Sequence, residues 1–320
     1  MSRSLLRCAV VGVGYLGRFH AQKYKALESV ELVGVCDTDP NRAKEVAGEL
    51  GVLSFHDYKD LANKLDAVTI ASTTSSHFEI AKFFLEQGVH VQVEKPMTNT
   101  SEEGEILCRM AEDKELKLQV GHIERFNPAF VAAKERLVRP LFMECHRLAP
   151  FKPRGFDVSV VLDLMIHDLD VVLSLVNSEP KSVSAIGAAV LTQDIDIANA
   201  RVEFRSGAVA NITASRVSQK SERKFRVFQD HQYLSLDFGG GEVSLLSKTG
   251  EWGGETMPFS QESWNLEKSD ALLAETHAFV ECIQRDKKPI VSGWDGLVAL
   301  RLAEQIEQEI RQRLEQVGSQ

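Results

Sequence analysis

Long apolar runs, internal repeats and basic clusters are all absent from this 320-residue sequence. No stretch approaches the roughly 18 uninterrupted apolar residues that a membrane-spanning helix needs, and the first residues run into a strand-like pattern without the features of a signal peptide. The net charge of -9 and the lack of a Lys and Arg cluster make the surface unsuited to polyanions. We therefore expect a cytoplasmic, globular protein with no membrane or nucleic-acid partner.

Cysteine is also scarce: the five cysteines are Cys8, Cys36, Cys108, Cys145 and Cys282. Their number is odd, they lie far apart, and no two of them form a CxxC pair. Most lie inside apolar runs with a strand-like or helix-like pattern. These features are typical of buried free thiols rather than of a disulfide framework or a zinc cluster.

What the sequence does contain is ample apolar content, 43% of all residues, in a chain long enough for two domains. From residue 8 to about residue 123, Val- and Ile-rich runs alternate with amphipathic helical segments. Continuous apolar strands separated by helices predict a parallel sheet covered on both faces. We expect an α/β fold with a Rossmann-type, doubly wound domain at residues 1–123. The predicted strands begin near residues 8, 30, 65, 90 and 116.

After residue 124 the pattern changes to a helix near 127–138, a strand near 140–150, a helix at 160–176 and then a series of β runs. Tight turns such as Ser206-Gly207 join these runs, as in an antiparallel meander. Two helices near 268–285 and 294–316 complete the pattern, and residues 247–262 look like a loop. We expect a second, α+β domain at residues 124–320 with an open, mainly antiparallel sheet, whose uncovered face would suit a homodimer or homotetramer.

A glycine motif lies between the first predicted strand and the first helix. Gly12, Gly14 and Gly17 form GxGxxG, with Tyr15 and Leu16 between them. The first glycine permits a tight turn, the second lets the backbone approach a pyrophosphate, and the third allows close packing of the helix. The start of the helix stabilises negative charge. This context predicts a dinucleotide site.

An acid at the end of the second predicted strand bears on the choice of cofactor. Asp37 comes 20 residues after Gly17, where a carboxylate accepts hydrogen bonds from the adenosine ribose and repels a 2'-phosphate. This favours NAD over NADP. Arg42 is close enough in sequence to hold a phosphate, so dual use stays open.

The segment VVLDLMIHDLDVVLSLV, residues 160–176, is apolar apart from four ionisable groups and one serine. Spacing of i, i+4 and i+7 places Asp163, His167 and Asp170 on one helical face. A polar stripe on a buried helix is costly unless something meets it. A core histidine paired with a carboxylate and a catalytic or metal site are both compatible with this pattern.

Three motifs together decide between these alternatives. GxGxxG, then Glu94-Lys95-Pro96 after the fourth predicted strand, then DxxxHD from Asp163, in this order and spacing, closely resemble the glucose-fructose oxidoreductase/inositol dehydrogenase family. The resemblance implies that Lys95, Asp163 and His167 form the catalytic group and that NAD is the cofactor. His167 would act as general base toward a sugar hydroxyl, Lys95 would stabilise the oxyanion, and Asp163 would orient the substrate or the histidine.

Further expectations follow from the helical spacing and from the same resemblance. Asp170 would support the group from behind, and Asp168 would face elsewhere. A metal bound by Asp163, His167 and Asp170 is an alternative, but the lysine would supply the charge that a metal provides, so we predict none. The loop after the third predicted strand departs from the family, because threonines replace the usual proline and asparagine. We expect the cofactor to be contacted here and in EKP by Ser72, Thr73, Thr74, His77, Glu94 and Lys95.

The segment GHIERFNPAF, residues 121–130, resembles the branch of this family that oxidises the 3-hydroxyl of UDP-N-acetylglucosamine. That resemblance implies substrate contacts from Glu124, Arg125 and Asn127, where the two domains would meet. Lys152 and Arg154 could meet a diphosphate or be solvated loop charges. An inositol or free-sugar dehydrogenase is the alternative enzyme. A non-catalytic NAD-binding regulator is the alternative of another class.

Overall fold

The computed structural model describes residues 5–152, 158–251, 253, 258–267 and 269–318. Its contacts divide the chain into two compact units, which are described separately. The first comprises Met1–Ile123 and Asp270–Leu297, and the second comprises Glu124–Ser269 and Val298–Gln320.

The first unit contains a parallel sheet of six strands in the order β3-β2-β1-β4-β5-β6. The strands are β1 (Leu6–Val11), β2 (Val30–Cys36), β3 (Leu53–Phe55), β4 (Ala67–Ile70), β5 (His90–Glu94) and β6 (Leu118–Gly121). The helices between them are α1 (Tyr15–Lys25), α2 (Pro40–Leu50), α3 (Thr74–Glu86) and α4 (Ser101–Asp113). β4 is buried along its whole length, as a strand covered on both faces must be. The predicted doubly wound fold is confirmed.

Local sequence explains where these helices begin and end. At α2, the Asp39 side chain accepts hydrogen bonds from the backbone N–H groups of Asn41 and Arg42, and Pro40 supplies the fixed φ suited to a first helical position. Gly51, at φ +64°, ends the helix in the left-handed conformation that glycine adopts without strain.

The second unit is built on one sheet of eight strands in the order β14-β13-β12-β11-β7-β10-β9-β8. The strands are β7 (Pro140–Leu148), β8 (Pro180–Ala188), β9 (Ile197–Phe204), β10 (Val209–Ser215), β11 (Glu222–Gln229), β12 (Gln232–Asp237), β13 (Glu242–Lys248) and β14 (Phe259–Asn265). All neighbouring pairs are antiparallel except β10 with β7. The open, mainly antiparallel sheet is confirmed.

One face of this sheet is covered by helices. They are α5 (Pro128–Lys134), α6 (Ile166–Val176) and the part of the last helix, α8 (Gly293–Gly318), that follows Leu297. Leu302, Ile306 and Ile310 of α8 are buried in one core with β-strand residues such as Val202 and Phe225. None of the described helices is both long and apolar enough to cross a membrane.

The segment 270–297 differs from the sequence prediction, which assigned it to the second domain. It contains α7 (Ala271–Gln284), which packs against α1. Phe279, Val280 and Cys282 of α7 are buried with Val10 and Tyr24 in the core of the first unit. The chain therefore returns to the first unit because α7 covers apolar surface there.

Two strands were missed. β3 has only three residues, of which Leu53 is 60% exposed. The residues 247–262 were interpreted as a loop, whereas β14 begins at Phe259 and is mostly exposed at the sheet edge. Neither strand has the apolar pattern from which the others were identified. All five cysteines are buried and free, as predicted.

Candidate active site

The glycine motif forms the turn between β1 and α1. Gly12 has φ +83°, and a Cβ at this position would lie 2.5 Å from the Cα of Ser72. A Cβ on Gly17 would overlap the carbonyl oxygen of Gly12, so the turn and the helix touch directly. At Gly14 an added Cβ would meet no atom within 4 Å. The backbone is thus open on one side, at the first turn of a helix, as phosphate binding requires.

Asp37 follows β2 and is bonded to this turn. Its carboxylate accepts hydrogen bonds from the backbone N–H groups of Val13 and Asp39, both at 2.9 Å. Asp37 is 8% exposed, and the Arg42 guanidinium lies 3.9 Å away. The two backbone donors hold the carboxylate beside the glycine turn. It can accept a ribose hydroxyl there.

A cavity of about 650 Å³ opens between these elements. Its walls include Gly12, Gly14, Asp37, Arg42, Ser72 and Thr73. This volume and this mix of backbone, hydroxyl and carboxylate groups fit the adenosine and phosphate parts of a dinucleotide. Tyr15 and Leu16 are the first two residues of α1 and are exposed.

The loop after β4 leads into α3, which begins at Thr74 with Thr73 as N-cap. His77 is buried and bonds two carbonyl oxygens, that of Pro96 from Nδ1 at 2.9 Å and that of Ser72 from Nε2 at 3.1 Å. Burial lowers the pKa of His77, although both hydrogen bonds act in the opposite direction. His77 therefore joins this loop to the segment that follows Lys95. Its ring nitrogens are occupied by that task.

Lys95 comes directly after β5, at the carboxyl end of a parallel strand, and is half-buried. This is the edge of such a sheet at which ligands bind. Glu94 lies behind it: its carboxylate accepts hydrogen bonds from His20 at 2.8 Å and from the Lys95 backbone N–H at 3.3 Å. Sequence analysis expected Glu94 to contact the cofactor. In the structure, the Glu94 carboxylate is bonded to other groups of the protein, His20 and the Lys95 backbone N–H.

The segment 160–176 of the second unit was predicted to be a regular helix, but it begins with another geometry. Val161–Met165 is a π-helical turn, and α6 follows from Ile166. Asp163 lies in the π turn and His167 in the first turn of α6, and both are half-buried. π turns occur often at functional sites because they change which face a side chain occupies.

The remaining two acids of this segment are 2% exposed and are paired with arginines. Asp168 accepts two hydrogen bonds from Arg147, both at 2.9 Å. Asp170 lies 3.1 Å from Arg125. Asp168 is thus occupied by Arg147. The alternative of a metal bound through Asp170 loses support, because a guanidinium already provides the positive charge there.

The expected substrate residues near 124–127 have protein partners. Glu124 is 4% exposed and accepts a hydrogen bond from Arg147 at 2.9 Å. Asn127 donates to Glu124 at 2.9 Å, and its side-chain oxygen caps α5 at Ala129. These contacts give Glu124 and Asn127 a structural role. Lys152 is exposed, and Arg154 lies outside the described residues.

Arg147 was missed by the sequence analysis. It lies on β7, where Met143, Cys145 and Arg147 alternate on the buried face. The signal available in the sequence was the alternation of apolar residues at every second position of the strand. An arginine that falls at one of these buried positions must have buried acidic partners.

Comparisons with known proteins give a consistent result. An oxidoreductase family model with an NAD-binding Rossmann fold matches residues 6–122, and the GFO/IDH/MocA C-terminal domain matches residues 139–235. The chain is 40% identical over 306 residues to a UDP-N-acetylglucosamine 3-dehydrogenase from Acidithiobacillus ferrooxidans, covering 94% of this chain and 96% of that protein.

Two further relatives extend the comparison. The scyllo-inositol 2-dehydrogenase (NAD(+)) of Bacillus subtilis is 29% identical, with 93% of this chain and 92% of that protein covered. A solved structure of the Acidithiobacillus ferrooxidans dehydrogenase is similar with a TM-score of 0.90 at 39% identity, covering 96% of this chain and 98% of that one.

Proposed function

This chain belongs to the GFO/IDH/MocA family of oxidoreductases, and from that membership we propose that it oxidises the 3-hydroxyl of UDP-N-acetylglucosamine to a ketone, with NAD+ as hydride acceptor. The observation that carries the proposal is the 40% identity, over nearly the whole chain, to a dehydrogenase named for this substrate. The inositol dehydrogenases are similar over the same length but at lower identity, 29% or less.

The reaction needs a base and an oxyanion partner, and the chain has suitable groups. Bound NAD+ supplies the acceptor for the hydride that leaves the carbon. His167 takes the proton from the hydroxyl oxygen, since imidazole is an effective base near neutral pH. The Lys95 ammonium donates a hydrogen bond to the same oxygen and stabilises its developing negative charge. Asp163, four residues before His167, orients the substrate or the imidazole. A C=O bond forms as the O–H and C–H bonds break.

The choice of NAD over NADP rests on Asp37. Its carboxylate is held beside the glycine turn by two backbone donors, where it would accept ribose hydroxyls and repel a 2'-phosphate. Arg42 is half-exposed, and its guanidinium is 3.9 Å from that carboxylate. We expect Asp37→Ser to weaken NAD binding roughly tenfold and to narrow the preference over NADP. Titration of both cofactors by calorimetry checks this, with Asp39→Ser as a neighbouring control.

The first test is direct. The protein is incubated with UDP-N-acetylglucosamine, NAD+ and a carbonyl-trapping reagent, and the products are analysed by mass spectrometry. A trapped 3-keto sugar with matching NADH supports the proposal. No product from this sugar but turnover of inositols or free sugars would assign the chain to the alternative enzyme. No turnover of any sugar with NAD still bound would favour the regulator.

Two variants test the roles of the residues. Lys95→Ala and His167→Ala should each reduce kcat at least about a thousandfold and leave NAD affinity nearly unchanged. Near-normal turnover in either variant would remove that residue from the catalytic group. For the nucleotide part of the substrate, exposed Lys152 remains a candidate for binding the diphosphate, and Lys152→Ala should raise KM for the sugar nucleotide without lowering kcat.

The uncovered face of the eight-stranded sheet supports a homo-oligomer. Phe142, Phe228 and Tyr233 form an aromatic group on this face, with ring centroids 5.6 and 4.8 Å apart. Phe228 and Leu246 are both 37% exposed. Apolar surface of this kind is typical of a subunit interface. Light scattering should show a dimer or tetramer, and Phe228→Glu should shift it toward the monomer.

A further inference from the structure

A second cluster of ionisable side chains lies inside the first unit, behind Lys95. His20 comes from α1, Glu94 from the end of β5 and Glu275 from α7. One ligating atom from each lies within 4.8 Å of the others. His20 and Glu275 are fully buried and Glu94 is 9% exposed. Three ionisable groups from three separate elements, buried together in a core, are costly unless they have a function or full compensation.

Glu94 is the centre of this cluster, and its two oxygens have different partners. Oε1 accepts a hydrogen bond from His20 Nε2 at 2.8 Å, and Oε2 accepts one from the Lys95 backbone N–H at 3.3 Å. On the other side, Gly121 of β6 leaves room for the carboxylate, since a Cβ there would lie 2.8 Å from Oε1. Two donors thus hold the carboxylate, and one of them is the backbone N–H of Lys95.

The charges within the cluster can be assigned from its contacts. Within the described residues, neither oxygen of Glu275 has a hydrogen-bond partner. Burial, and then the negative charge of Glu94, raise the pKa of Glu275 well above its usual value. Burial would raise the pKa of Glu94 too, but the His20 hydrogen bond, together with the charges of His20 and Lys95, lowers it overall. The surroundings thus favour the protonated form of Glu275 and the ionised form of Glu94.

We propose that His20 is a positioning residue, and that it acts on Lys95 through the Glu94 carboxylate, which bonds both residues. This inference rests on the proposed function, because it assumes that the Lys95 ammonium acts on the substrate hydroxyl. The titratable groups that face Glu94 are His20, Lys95, His77 and Glu275. The connection is geometric, because the carboxylate that bonds His20 through one oxygen bonds the Lys95 backbone N–H through the other.

The kinetic test compares His20→Gln and Glu94→Gln with His277→Gln, which changes a histidine on the exposed side of α7. His20→Gln should lower kcat roughly 10- to 100-fold, the cost expected when a catalytic group is displaced by about 1 Å. The NAD dissociation constant should stay within about threefold. Glu94→Gln should lower kcat to a similar extent, because a neutral amide is a weaker acceptor than a carboxylate for His20 and for the Lys95 backbone N–H. His277→Gln should match the unsubstituted protein.

The charge assignment has its own readout, which is independent of activity. At neutral pH the infrared difference spectrum between the unsubstituted protein and Glu275→Gln should contain the carbonyl stretch of a protonated carboxylic acid. Absence of that band would overturn the assignment. So would a stoichiometric divalent metal in the purified protein, since these side chains have the donor types of metal ligands.

The outcomes separate this inference from the proposed function. Failure of the unsubstituted protein to oxidise any sugar would overturn the proposed function. An active protein whose His20→Gln and Glu94→Gln variants keep normal kcat would overturn the positioning role alone. So would a loss of kcat that only parallels losses of thermal stability and NAD affinity, because that is the signature of a purely structural histidine.

Discussion

Replacing Arg147 by methionine tests the buried ion pairs that hold the second unit together. The guanidinium donates to Asp168 through two hydrogen bonds and to Glu124 through one, all at 2.9 Å, and the three side chains are 3 to 5% exposed. Arg147→Met keeps the apolar volume but leaves two buried carboxylates without their main counter-charge. Arg223 remains 3.9 Å from Glu124, but its side chain is 56% exposed and screened by solvent.

The expected loss is about 3 to 5 kcal/mol in the free energy of unfolding, the usual result of removing one partner of a buried ion pair. With about 2.1 cal/mol/K of unfolding entropy per residue, cooperative unfolding of 320 residues converts this into a fall in Tm of about 4 to 7 °C. The loss in the free energy of unfolding caused by Arg147→Met should also become smaller as the pH falls. Burial raises the pKa of Asp168 although Arg147 opposes it, so without Arg147 the folded state takes up protons more readily and gains stability as the pH falls.

Differential scanning calorimetry between pH 5 and pH 8 measures both effects. The matched control is Arg205→Met, which removes a pair whose side chains are 70% and 80% exposed and should change Tm little, because exposed pairs contribute little. A Tm for Arg147→Met within about 1 °C of the control would refute the reasoning. So would a deficit that is independent of pH.

Two further predictions concern the glycine turn and a buried aspartate. Gly17→Ala should abolish NAD binding and destabilise the protein, because the new Cβ would overlap the Gly12 carbonyl. Gly14→Ala should fold normally and lose only NAD affinity, because its Cβ would meet no protein atom within 4 Å. Equal effects of the two variants on Tm and on the NAD dissociation constant would contradict this. Asp196 is fully buried, and three backbone N–H groups and Thr192 lower its pKa to about 2 against the opposing effect of burial. Because the pKa of Asp196 is lower in the folded state than in the unfolded state, where it is near 4, the ionised carboxylate stabilises the fold at pH values above about 4. The contribution to the free energy of unfolding is about 2 kcal/mol, and it is lost as the pH falls from about 4 to about 2. Chemical denaturation should show Asp196→Asn less stable than the unsubstituted protein at pH 7 and nearly equal to it at pH 2.

The parts of the fold that could be predicted from sequence are those determined by local chemistry. Buried parallel strands must be apolar along their length, and the turn after β1 needs glycine where a Cβ would strike backbone. α7 could not be assigned in this way. Its amphipathic pattern shows that it covers a core, but which core depends on contacts with α1 that are about 250 residues away in sequence. The ion pair of Glu124 could not be predicted for a similar reason, since its partner Arg147 lies on a strand that is distant in sequence.

The polar stripe on the 160–176 helix shows what a pattern of this kind determines. Spacing alone placed Asp163, His167 and Asp170 on one face of a regular helix. The π turn at Val161–Met165 changes that geometry, and the arginines of β7 and of the 3-10 helix at Ile123–Phe126 pair with Asp168 and Asp170.

These two buried acids therefore need no ligand to compensate their charge. The other two ionisable groups of the segment, Asp163 and His167, are the half-buried ones. A general base must be reachable by its substrate. The half-burial of His167 and Asp163, in contrast to the buried and paired Asp168 and Asp170, therefore supports the proposal that His167 is the base and that Asp163 assists it.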